Sequence, residues 1–398
     1  MKQEKKWSIV SLASIPLVMT LGNSMLIPVL PTIEKKLNIS SFQVSMIITL
    51  YSIVAIILIP IAGYLSDRIG RKKVIIPSLI IAGVGGIISG WAAWKMKDPY
   101  WLILVGRIFQ GVGAAGAAPV VMPLVGDLFK SEKEVSKELG VIETSNTFGK
   151  VLSPILGSLL AGLVWFLPFF AIPVFTLISV LLMIFLVESP KKKKKPVPFK
   201  KFLKQIKKIF KKSGRWLYAI FAIGCILMFV LFGVLFYLSS MLEDQHGIDG
   251  IKKGLILAIP LASLCLASYF TGKKIKENKV LMKWITVSGI ALLAISVFAI
   301  SFTENIYFLL GIFFICGVGI GVALPCLDSL ITEGVEKEER GTITSIYSSM
   351  RFIGVAAGPP VFVLLMKASH QVMYYSITGL CMVAGLIALK EIKPKKAK

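Results

Sequence analysis

Gly63-Tyr64-Leu65-Ser66-Asp67-Arg68-Ile69-Gly70-Arg71-Lys72-Lys73 is a polar and basic stretch set between two apolar runs, residues 41–62 and 74–94. Each run is long enough to cross a bilayer at roughly 20 residues per crossing, so the stretch is expected as a short loop at one membrane face. Gly63 and Gly70 lack a Cβ, which lets two helices approach and the backbone turn sharply. Asp67 stands beside Arg68 and Arg71, a pattern able to form a latch through charge-assisted hydrogen bonds. Lys72 and Lys73 read as charges that hold topology.

The same alternation of long apolar runs and short polar breaks extends over the whole chain. Its 398 residues are 56% hydrophobic and only 17% charged, with mean hydropathy +0.80, which excludes an ordinary soluble protein. The runs fall near 8–33, 41–64, 74–94, 100–126, 139–163, 165–187, 215–242, 254–271, 280–302, 305–331, 341–366 and 370–389. An all-α membrane protein of twelve spans is therefore expected. The first run is too long for a cleaved signal peptide and reads as a retained helix.

Charge then sets the orientation. With the N-terminus inside, 35 basic residues fall on the inner side and seven outside, namely Lys35, Lys36, Lys95, Lys97, Lys252, Lys253 and Lys367. That bias predicts a multi-pass protein of the cell membrane with both termini cytoplasmic. The net charge of +24 is thus mostly topology and attraction to anionic lipid, and it calls for no nucleic-acid partner. Cys225, Cys265, Cys316, Cys326 and Cys381 are scattered over four runs, without the spacing of a metal site or disulfide framework.

The pattern Gly-x-Leu-Ser-Asp-Arg-x-Gly-Arg-Lys-Lys resembles the signature loop between helices 2 and 3 of the major facilitator superfamily. The resemblance implies two pseudo-symmetric six-helix bundles and transport without a cofactor. Span 1 carries Asn23 and the break Pro28-Val29-Leu30-Pro31, similar to a proline-bounded motif of the drug-antiporter branch. Asn23 reads either as an interhelical hydrogen-bonding residue or as part of the substrate cavity.

Span 4 contains Gly106-Arg107-Ile108-Phe109-Gln110-Gly111-Val112-Gly113, which places a guanidinium in an apolar helix at a cost of about 2.5–3.5 kcal/mol. Arg107 must therefore face protein or water. Gln110, three residues on, shares its face and is a cavity candidate. The run resembles the superfamily's Arg-x-x-Gln-Gly motif, whose arginine is implicated in proton transfer; a buried structural arginine is the other reading. Asp127 ends the span on the side of the signature stretch, with Arg71 or Arg68 as expected partner, and the resemblance implies a charge relay between them.

Span 5 holds Glu143 and the run Gly149-Lys150-Val151-Leu152-Ser153-Pro154-Ile155-Leu156-Gly157, similar to the antiporter branch's Gly-Pro-x-x-Gly packing motif. It departs from that motif at Ser153 and at the charged Lys150. Glu143 is a proton-coupling candidate or an acid capping the start of the span. Lys150 is a cavity residue, either hydrated or binding an anionic group on the substrate.

The chain divides as residues 1–187, a basic linker 188–214, and residues 215–398. The linker combines five consecutive lysines with apolar residues at helical spacing, which predicts a helix lying on the anionic cytoplasmic leaflet. The second half repeats the first at a period near 206: Gly111, Gly113 and Pro119 match Gly317, Gly319 and Pro325. Ser153-Pro154 likewise match Gly358-Pro359 at a shift of 205. Asp328 in span 10 is a second coupling candidate, and Arg351 in span 11 a cavity residue.

Together these features predict a monomeric, proton-coupled antiporter that exports a small molecule by alternating access. No G-x-x-x-x-G-K-[ST] loop is present to support ATP drive. Arg107, Lys150 and Arg351 outnumber Glu143 and Asp328 within the spans, so an exporter or flippase of an anionic or lipid-linked substrate is the alternative. A membrane-embedded enzyme or sensor is the remote one, since the spans hold a single His, His370 at the edge of the last, and no Ser/His/Asp constellation.

Overall fold

After its first residue the chain forms α1 (Lys2–Ser24), which ends ahead of Pro28 and Pro31, each of which removes an amide donor. A 3-10 turn at Ile27–Val29 and α2 (Leu30–Leu37) complete the first crossing, so the Pro28/Pro31 break is a real one. This computed structural model describes residues 2–129, 132–188, 199–275, 278–303, 305–335 and 337–392, and its described elements are all helical.

α3 (Ser41–Ile69) opens with a capping box. The Ser40 hydroxyl accepts from the Gln43 amide at 3.2 Å, and the Gln43 side chain accepts from the Ser40 amide at 2.9 Å. α4 (Arg71–Lys95), α5 (Tyr100–Leu128), α6 (Glu132–Leu163) and α7 (Leu167–Leu186) follow. The rest of the chain forms α8 (Phe199–Asp244), α9 (Gly250–Ile275), α10 (Lys279–Ile300), α11 (Ile306–Gly334), α12 (Lys337–Ala368) and α13 (His370–Glu391).

Among the described residues, eleven helical segments are long and apolar enough to cross a membrane. The twelfth expected span is α6, whose 32 residues are more than long enough but polar along one side. That side is satisfied by α1: Ser145 donates to the Ala13 carbonyl at 2.8 Å, and Thr20 donates to the Asn146 side-chain oxygen at 2.6 Å. Hydropathy weakens in α6 because its polar groups bond to a neighbouring helix instead of water.

The expected loop at Gly63–Lys73 is corrected. Helix continues through Gly63 to Ile69 and resumes at Arg71, and Gly70 alone breaks it, with φ 111° and ψ 140°. A Cβ there would meet nothing within 4 Å, so the glycine is required by backbone conformation and not by space. Polar residues such as Ser66, Asp67 and Arg68 keep a helix as long as their backbone bonds close, and the Gly70 amide still bonds the Ser66 carbonyl at 3.0 Å.

In the expected linker 188–214, residues 189–198, with the five consecutive lysines, lie outside the described residues, as does the basic tail 393–398. Helix begins at Phe199, and Gly214 (φ 65°, ψ −161°) separates its first stretch from the membrane part, Gly214–Asp244. The side chains that would form the basic and apolar faces of that first stretch are outside the described set.

The chain forms two units, Met1–Phe202 with Ser239–Leu255 and Leu203–Leu238 with Ile256–Lys398. In unit 1, α5 packs against α3, α4 and α1, while α1 packs against α6 and α7. In unit 2, α10 packs against α11 and α13. The 206-residue repeat is visible in the contacts. A Cβ on Gly111 would stand 2.5 Å from the Tyr51 carbonyl of α3, and one on Gly317 would stand 2.1 Å from the Pro260 carbonyl of α9.

Candidate functional site

Arg107 lies at the centre of unit 1 and is 0% exposed. Its Nε donates to the Ile47 carbonyl at 2.7 Å, one terminal nitrogen donates to the Gly22 carbonyl at 3.2 Å and to the Gln110 side-chain oxygen, and the other donates to Asn23 Oδ1 at 2.6 Å. The guanidinium also sits 4.5 Å from the centre of the Tyr51 ring. Gly22 and Asn23 are in the last turn of α1, where carbonyls lack helical partners and the dipole favours a cation. The proline break that ends α1 therefore frees the Gly22 carbonyl for Arg107, which with the Ile47 carbonyl and the Asn23 and Gln110 side chains ties α1, α3 and α5 together. Sequence reading paired Arg107 with Gln110; the structure adds Asn23, Tyr51 and two carbonyls.

At the far end of α3, Arg71 joins two acids. Its Nη1 lies 3.0 Å from Asp67 Oδ1, and its Nε donates to Asp127 Oδ2. The expected partner of Asp127 is thus Arg71, placed by the turn at Gly70, while Arg68 is exposed on the same helix end. Lys72 does more than hold topology. Its ammonium donates to the Ile184 carbonyl at 3.1 Å and the Val187 carbonyl at 2.6 Å, closing the last turn of α7.

On α6, Glu143 accepts from the Asn146 amide at 3.2 Å, and Asn146 in turn accepts from Thr20 of α1. Glu143 thus begins a polar chain, through the Asn146 side chain, that crosses from α6 to α1. Lys150 is partly buried, and its carbonyl accepts the buried Ser153 hydroxyl at 2.9 Å. Gly149 and Gly157 face α1, and a Cβ on Gly157 would stand 2.0 Å from the Met25 carbonyl. Pro154 lies between them inside the helix.

Unit 2 carries its charges differently. Asp328 of α11 and Arg351 of α12 form an ion pair at 3.5 Å, and the Asp328 side chain is 37% exposed. The Arg351 guanidinium lies 5.6 Å from the centre of the Tyr347 ring, which stacks on Phe221 of α8 at 6.0 Å and 26°. Gly358, beside Pro359, packs on α8, and so does Gly354, where a Cβ would stand 2.1 Å from the Cys225 carbonyl. Gly354 follows Gly149 by 205 residues, the shift already relating Ser153 to Gly358, so its role was readable from the repeat.

A family model for the Major Facilitator Superfamily matches residues 12–359, with a second match over 283–398. The chain belongs to the Major Facilitator Superfamily. It is 56% identical over 392 residues to the bacillibactin exporter of Bacillus subtilis (strain 168), covering 98% of this chain and 97% of that one. It is 25% identical over 384 residues to the multidrug efflux protein YfmO of the same organism, covering 93% and 89%. A crystal structure of a bacterial homologue of the human lysosomal transporter Spinster has the same fold, with TM-score 0.82 at 15% identity over 100% of both chains. This superfamily protein is accordingly a membrane transporter and not an enzyme.

Proposed function

We propose that this superfamily transporter exports bacillibactin, or a compound close to it, from the cell in exchange for protons. The observation that carries the reading is the 56% identity across 98% of the chain, against 25% to the multidrug relative. Residues 1–187 and 215–398 act as the two moving halves, with both termini cytoplasmic, the protein a monomer, and the 188–214 linker resting on anionic lipid. With Arg107 buried among its acceptors, Lys150 and Arg351 are the span cations left to favour an anionic cargo over a lipophilic cation.

Charge bookkeeping distinguishes the acids. An anion that takes Arg351 away from Asp328 favours protonation of Asp328, so cargo and proton bind together there and would leave together. Exchange in opposite directions requires the reverse linkage. Glu143, bonded to a neutral amide, is therefore the better proton carrier, with Asp328 and Arg351 sensing the cargo. Lys150 on α6 is a further cationic contact, and Asp67, Arg71 and Asp127 latch the cytoplasmic end.

The test is transport into proteoliposomes by the purified protein, with bacillibactin, a lipophilic cation and a neutral compound compared at equal concentration. Concentrative uptake of bacillibactin, blocked by collapsing the proton gradient, is expected. Uptake of the cation with bacillibactin inert would overturn the reading.

A further inference from the structure

The chain of hydrogen bonds from Glu143 to α1 has a definite sense. Asn146 Nδ2 donates to Glu143 Oε1 at 3.2 Å, and Asn146 Oδ1 accepts from Thr20 Oγ1 at 2.6 Å. The two helices are held close on either side of that chain. Ser145 donates to the Ala13 carbonyl at 2.8 Å, and a Cβ on Gly149 would stand 3.2 Å from the Leu17 carbonyl. Thr147 donates to the Glu143 carbonyl at 2.8 Å, which steadies the same turn of α6.

Few charges lie on the elements packed against this turn. Among the described residues, α1 from Trp7 onward, the 3-10 turn and α7 carry none, while α5 carries Arg107 and Asp127, each engaged elsewhere. α6 itself adds Glu134, Glu138 and Lys150. The first turn of α9, with Lys252 and Lys253, meets α6 at Pro154 and Ser158, about three turns from Glu143.

An ionised carboxylate can only accept, so it holds Asn146 with the amide N–H toward Glu143 and the amide oxygen toward Thr20. A protonated Glu143 has an O–H to place, and the Asn146 oxygen is the acceptor at hand. Taking it turns the Asn146 side chain over. Nδ2 then donates to Thr20 Oγ1, and the Thr20 hydroxyl turns to the carbonyl one turn back on its own helix, that of Pro16. Bonds of that kind bend helices, and Pro16 has already removed one backbone bond from this stretch of α1. Three residues beyond Thr20, on the same face, Asn23 accepts from Arg107. We propose that Asn146 is a positioning residue that reads the proton on Glu143 and, by turning over, bends α1 through Thr20. The inference rests on the proposed exchange of protons through Glu143, and it gives Asn146 and Thr20 a role in coupling and none in holding cargo.

Two measurements test it. The first separates coupling from stability. Asn146→Leu and Thr20→Val should lower concentrative bacillibactin uptake into proteoliposomes about tenfold, with downhill equilibration within about twofold of the parent. Thr20→Ser, which keeps the hydroxyl, should keep the parent's uphill rate. Parallel loss of both rates, or uphill transport left intact, would overturn the proposal. The second needs no cargo: the infrared difference between acid and neutral protein should show a carboxylic acid band that Glu143→Gln removes, together with a side-chain amide change that Asn146→Leu removes. A Glu143 band with no amide change would overturn the relay and leave the proton carrier standing, whereas the absence of a Glu143 band would overturn both. Both signals in a protein that does not move bacillibactin would uphold the relay and remove the cargo reading.

Discussion

The two units fill the same central position in opposite ways. Arg107 of unit 1 and Phe313, 206 residues later in unit 2, are both 0% exposed and both sit on the helix at the centre of its unit's repeat. Around Arg107 stand Asn23, Gln110 and two carbonyls; the residues 206 positions after Asn23 and Gln110 are Phe229 and Cys316. Unit 1 thus spends its central charge on holding helices together. Unit 2 packs its centre with apolar groups and keeps its charges, Asp328 and Arg351, near water, where they can exchange partners. A buried cation with its donors engaged fixes geometry, while a partly exposed pair can respond to a ligand.

The sharpest challenge to that contrast is Arg107→Met. It orphans two buried side-chain oxygens and the Gly22 carbonyl at about 1–3 kcal/mol each, so purified protein should unfold at much lower temperature, with little reaching the membrane. Arg107→Lys should not rescue it, because a single ammonium cannot fork to α1 and α3 at once. Phe313→Leu, the matching change in unit 2, should cost under about 1.5 kcal/mol. Comparable melting temperatures for Arg107→Met and Phe313→Leu would dissolve the comparison.

Next in size are the close approaches. Gly157→Leu should force α1 from α6 at the Met25 carbonyl, and Gly354→Leu should do the same between α12 and α8, each costing about 1–3 kcal/mol or more. Both should lower transport more than protein level, read as flux per inserted molecule. If only the unit 1 variant suffers, the two units pack less alike than their repeat implies.

A smaller stability effect but a clear functional one is expected at the latch. Asp67→Asn and Asp127→Asn remove partners of one arginine at an exposed site, so stability should change by less than about 1 kcal/mol, while transport falls in both. The double variant should be no worse than either single one, because both losses act through Arg71. Additive losses of flux would separate the two acids.

Much of this architecture was legible because a bilayer constrains sequence strongly: crossings must be long and apolar, and the Pro28/Pro31 break and the 206-residue repeat survive in plain view. The Arg71–Asp127 pair could be anticipated from motif and side. The stretch Gly63–Lys73 reads as a loop by its polarity but folds as helix, since polarity marks exposure to water and not absence of helix; the signal for the break is Gly70 alone. The ion pairs of Glu243 with Lys35 and Lys253 are hidden in the sequence for another reason. Lys35 and Glu243 are 208 residues apart, and in sequence both lysines look like ordinary topology charges.

The central claim, cargo moving out as protons move in, is tested most directly by watching the protons. Proteoliposomes are loaded with a pH-sensitive dye, and bacillibactin is added on the side where the cytoplasmic face is exposed. Cargo entering the lumen should drive protons out, so the lumen turns alkaline, and Glu143→Gln should abolish the signal while bacillibactin binding survives. A lumen that stays unchanged or turns acidic as bacillibactin enters would contradict the account.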